Sequence, residues 1–145
     1  MLRKIAGVIA GYVFMVAFII GTFSALYAVL GTEGAYQPET FDVSMTWIVA
    51  TFVLGFVAAV FAGWLCKLIS KSGGTVKVFA GIVLVLGIIM GISVMMAERP
   101  NEKRVGDVSN SEAMQKSQQP VWVAFLNPVI GALGIIIGGG LKKED

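Results

Sequence analysis

The chain alternates between long apolar runs and short polar ones, and that alternation sets its architecture. Four stretches contain no Asp, Glu, Lys or Arg: Ile5 to Thr32, Val43 to Cys66, Val78 to Ala97 and Ser117 to Leu141, which are 28, 24, 20 and 25 residues long. All 11 basic and 9 acidic residues lie between or beyond them. A helix needs about 20 apolar residues to cross roughly 30 Å of hydrocarbon. Each stretch therefore predicts one membrane span, over 5–30, 44–66, 77–97 and 120–141. The fold class is all-α: an integral membrane four-helix bundle, a single domain over 1–145, with a longer outer loop between helices three and four. The first apolar run is too long for the core of a secretory signal, and no convincing small-x-small cleavage site follows it. It reads as a retained helix.

An even number of spans puts both termini on one side. Arg3, Lys4, Lys67, Lys71, Lys77, Lys142 and Lys143 flank that side, against Arg99, Lys103, Arg104 and Lys116 on the other. This excess predicts that both termini are cytoplasmic. Trp47 and Trp122 near the opposite ends of spans two and four, and Trp64 near the inner end of span two, sit where interfacial aromatics belong. The chain has the general look of small four-helix proteins of bacterial inner membranes, a likeness that assigns no role to any residue.

The connections differ in kind. Gly31 to Val43, with Glu33, Pro38, Glu39 and Asp42, reads as an irregular acidic turn, and Ser70 to Gly74 as a tight helical hairpin. The third connection, from Glu98, is too long for a minimal link. Within it Ser109 and Glu112 match a capping box, and Glu112 with Lys116 an i,i+4 pair, which predicts a short helix ending near Pro120. The loop as a whole is expected to be a solvated connector.

Composition narrows the chemistry. Charged residues make up 14% of the chain, against roughly 25% in soluble domains. The absence of histidine removes His-ligated metals, His-ligated haem and a His general base. The single cysteine, Cys66, forms no CxxC pair. Basic residues form no long run, so nucleic acid is not an expected partner. No charge lies deep in a span, where coupled transport usually keeps one. Glu98, Glu102 and Asp107 read as a solvated cluster. The chain is accordingly read as no enzyme, with no catalytic, cofactor-binding or metal-binding residue.

Two sets of residues stand out inside the spans. Gly7 and Gly11, Gly55, Ala59 and Gly63, Gly87 and Gly91, and Gly134 and Gly138 recur at the four-residue spacing that lets helix backbones approach in lipid. They are the expected packing positions, within one chain or between copies. Asn127 and Pro128, with Ser93, Thr51 and Thr22, form a candidate polar cleft or gate. Pro128 deprives the Ala124 carbonyl of its helical donor, which predicts a kink, and an amide at membrane depth must meet protein or water. The simpler expectation for the hydroxyls is a bond back to their own helix.

The leading functional expectation is a non-enzymatic accessory, assembly or interaction subunit in the lipid bilayer, beside a membrane-protein partner or as a homo-oligomer. The alternative is a passive channel or carrier for a small polar or amphipathic molecule, built on Asn127, Ser93, Thr51 and Thr22.

Overall fold

The computed structural model describes residues 1–99 and 102–143. Its helices are α1 (Leu2–Ala35), α2 (Met45–Ser70), α3 (Gly73–Met96), the short α4 (Asn110–Lys116) and α5 (Val121–Gly140). All but α4 are long and apolar enough to cross a membrane. Even α5, the shortest of these four, rises about 30 Å. Many large apolar side chains, among them Val49, Val53, Ile89 and Met95, stand on the outside of the bundle, as a lipid-facing surface requires.

Helix ends follow local chemistry. Ser44 accepts a hydrogen bond from the Trp47 backbone N–H at 3.1 Å, and its own hydroxyl donates to the Gly34 carbonyl at 2.6 Å. One side chain thus starts α2 and ties it to the end of α1. Lys71, in the left-handed conformation, ends α2, and Ser72 caps α3. Ser109 caps α4 through the Glu112 N–H at 3.3 Å, and Lys116 meets Glu112 at 3.0 Å. Helix α1 runs beyond the expected span, with a break at Gly31. The φ of 67° there is one that a side chain would resist.

The order of helices in space departs from their order in the chain. Helix α1 packs on α2, α2 on α5 and α5 on α3, while α2 and α3, though joined by a tight turn, touch only sparsely. The glycines explain why α5 enters between them. A methyl at Gly63 would strike the Ile135 carbonyl, one at Gly138 would strike the Val60 carbonyl, and one at Gly134 would lie 2.7 Å from Ala59 Cβ. On the other flank Gly87 receives the Pro128 ring, and Gly91 faces Phe125. Gly7 and Gly11 admit the Cys66 and Ala62 carbonyls of α2. These small residues are used within one chain. Gly55 is the exception, with open space where its side chain would be.

Helix α5 stays continuous through Pro128, so the expected kink produces no break. The notch at Gly87 gives the ring a place to seat.

The end of the bundle opposite the termini carries a folded cap. The connection between α3 and α5 is not the solvated strand of chain its polarity suggests. Val108 and Ala113 are buried with Tyr27, Tyr36, Phe41, Val43 and Val123 in a second hydrophobic cluster. The Gln118 N–H donates to the Phe41 carbonyl at 2.9 Å, and the Val43 N–H to the Gln118 carbonyl at 3.0 Å, stitching the two long connections together.

Candidate functional site

Helices α1 and α3 close on each other near the terminal end, where Gly11 faces the Phe79 ring. Above that contact a chamber of about 300 Å³ separates them. Tyr12, Met15 and Ile19 of α1 line it on one side and Val83, Leu86 and Met90 of α3 on the other, with α2 and α5 behind. Toward the cap it adjoins a vestibule of about 510 Å³, and the two share Phe23, Thr51, Val94, Gln119 and Asn127 on their walls. The vestibule walls carry Glu98, Arg99, Glu102, Lys116 and three glutamines, whereas the chamber, apart from the shared Thr51, Gln119 and Asn127, is lined by apolar side chains and glycines. The result is one cleft, charged at its mouth and apolar at its base, in the size range of ligand pockets.

Of the five expected cleft residues, three line this space. Asn127 and Thr51 sit where chamber and vestibule meet, and Pro128 forms chamber wall. Asn127 is exposed at that join and makes no side-chain hydrogen bond among the described residues. Thr51 donates to its own helix, at the Ile48 carbonyl, 3.1 Å away. Ser93 and Thr22 do not join them. Ser93 is exposed and donates to the Ile89 carbonyl at 3.1 Å, and Thr22 donates to the Phe18 carbonyl at 2.7 Å. Both hydroxyls satisfy themselves on their own helix, so neither needs to face a polar space. Gly55, expected as a packing residue, instead forms chamber wall.

The cap that frames the mouth rests on residues the sequence does not advertise. The Tyr27 hydroxyl donates to the Val108 carbonyl at 2.6 Å and lies 3.0 Å from the Thr32 hydroxyl, which in turn accepts from the Val108 N–H at 3.1 Å. Tyr36 donates to the Ala113 carbonyl at 3.2 Å, and burial raises its phenol above the usual tyrosine range. Arg104 is threaded between three acceptors: Nε to the Thr40 carbonyl at 3.0 Å, Nη2 to the Gln37 carbonyl at 3.2 Å, and Nη1 to Glu33 at 2.9 Å. Asn110 reaches down to the Ser24 hydroxyl at 3.1 Å, laying α4 against α1. An arginine in a polar loop gives no sequence signal for such burial. The spacing of Tyr27 and Tyr36 beside Gly31 was the available hint of an aromatic cluster.

Tyr27→Phe is expected to lower stability by about 1 kcal/mol, because the Val108 carbonyl loses its tyrosine partner inside the cap. A denaturation series on the purified protein checks it.

Neither a family model, nor a curated protein, nor a solved structure matches the chain.

Proposed function

We propose that this protein is a non-enzymatic binding protein or passive carrier for a small amphipathic molecule. It works in a bacterial inner membrane, with both termini cytoplasmic and the capped end outside, as the distribution of basic residues favours. One observation carries the reading: the cleft changes from charged at the mouth to apolar at the base, and the Asn127 amide stands at the join without a partner among the described residues. A ligand with a polar head and an apolar tail matches that gradient. The interaction-subunit reading drew on small-residue helix faces, the long outer loop and the absence of catalytic groups; most of those faces are spent inside the bundle, so the cleft supports the binding reading better. The chamber walls carry no ionisable carboxylate or amine, which favours passive binding over coupled transport.

The test uses a variant that keeps Trp47, on the vestibule wall, as the sole tryptophan through Trp64→Phe and Trp122→Phe. Titration in nanodiscs with dodecyl maltoside brominated in its tail is expected to quench Trp47 saturably. Asn127→Ala weakens that binding by about threefold to tenfold, the worth of one hydrogen bond, and leaves thermal stability unchanged. If Asn127 were interhelical glue, the same substitution would destabilise the protein. Quenching that rises linearly without saturation would contradict the reading.

A further inference from the structure

We infer that the amphiphile is a membrane phospholipid with a zwitterionic headgroup, and that it reaches the chamber sideways, between α1 and α3. The inference rests on the binding reading above and narrows it.

The side wall of the chamber is open. Leu86 and Met90 line the chamber, yet they are 43% and 69% exposed, and Tyr12 across from them is 42% exposed. On membrane-crossing helices, that exposure is to hydrocarbon, so an acyl chain can slide in without leaving the apolar phase. From Val83 to Val94 the α3 wall runs about 16 Å along the helix, an elongated slot suited to a chain. The Gly11–Phe79 contact closes its lower end.

The mouth sets the headgroup. It carries two carboxylates, Glu98 and Glu102, and two cations, Arg99 and Lys116. Glu102 and Lys116 already meet at 3.4 Å. Arg99 donates to the Gln119 carbonyl at 2.6 Å and has no carboxylate partner among the described residues, and Glu98 has no cationic one. A head with both a phosphate and an ammonium group supplies the missing partner to each. An anionic head would satisfy Arg99 and leave Glu98 facing like charge.

The full chain in liposomes is irradiated with three photoreactive lipids carrying a diazirine at the end of one acyl chain: a phosphatidylcholine, a phosphatidylglycerol and a diacylglycerol. Met15 is only 8% exposed and lines the chamber, whereas Val53 is on the outer face. Phosphatidylcholine is expected to label Met15, relative to Val53, about threefold more than the other two probes, and Arg99→Gln to abolish the preference. Gly55→Leu, which fills the chamber, loses most of the Met15 label and keeps the Val53 label. Met90→Trp fills it from α3 and is expected to do the same. Met15 labelling that is absent, or unchanged in both filled variants, overturns the proposal, and equal labelling by all three lipids overturns the headgroup assignment. Absent labelling together with saturable quenching of Trp47 by brominated maltoside would sink the lipid proposal and leave the binding reading standing.

Discussion

Replacing Gly138 with alanine is expected to destabilise the protein by about 3 kcal/mol, although alanine is the better helix former by about 1 kcal/mol. The added methyl lands on the Val60 carbonyl oxygen, which is backbone of a packed helix and cannot swing aside. Relief requires α5 to move off α2, which opens the seam between them. Gly63→Ala meets the Ile135 carbonyl across the same seam and should behave alike. Gly55→Ala is the internal contrast. Nothing lies within 4 Å of its added methyl, so the helix-propensity gain acts alone and the variant is expected to be as stable as the wild type or slightly more so. Titrated unfolding of the three variants in a mild detergent checks the set. Equal stability of Gly138→Ala and Gly55→Ala would mean that α2 and α5 do not pack as described.

The second large effect is expected at the cap. Arg104→Ala should cost about 2–3 kcal/mol, because charge-assisted bonds to the Thr40 and Gln37 carbonyls disappear together. Its partner Glu33 matters far less. The Arg104 side chain is 3% exposed but that of Glu33 is 77% exposed, so solvent screens the pair and Glu33→Gln is expected to cost under about 1 kcal/mol. Hydrogen exchange gives the readout. In Arg104→Ala, amides of 36–43 and 102–109 should exchange much faster while those of α2 and α5 keep their protection. Uniform acceleration along the chain would show that the cap is not a separately stabilised unit.

Much of this architecture is legible in the sequence because membrane spans are a matter of local composition. A charge-free run of sufficient length forms a helix wherever it sits, and the capping box at Ser109 works through atoms three residues apart. Neighbour relations are another matter. The insertion of α5 between α2 and α3 depends on Gly63, Gly134 and Gly138 on one flank and Gly87 on the other meeting matching surfaces. Four-residue spacing marks these positions without saying which helix each will meet. The same spacing mistakes Gly55 for a seam residue. For the cleft, Asn127 is legible because an amide at that depth needs a partner, but the direction of Ser93 on α3 follows from the placement of α5, which no local pattern records. The cap is the least legible part. Its core joins Tyr27, Tyr36, Val108 and Ala113 from distant segments, and its polarity in sequence resembles that of a solvated loop.

If the cleft between α1 and α3 holds one amphiphile, the molecule should stay with the protein through purification. Native mass spectrometry on protein extracted in a gentle detergent, without added ligand, tests it directly. The wild-type spectrum is expected to show a discrete bound mass in the phospholipid range, one per chain, and Gly55→Leu to lose it despite an intact fold. A wild-type protein that flies only as the bare chain, or a bound mass that persists undiminished in Gly55→Leu, would contradict it.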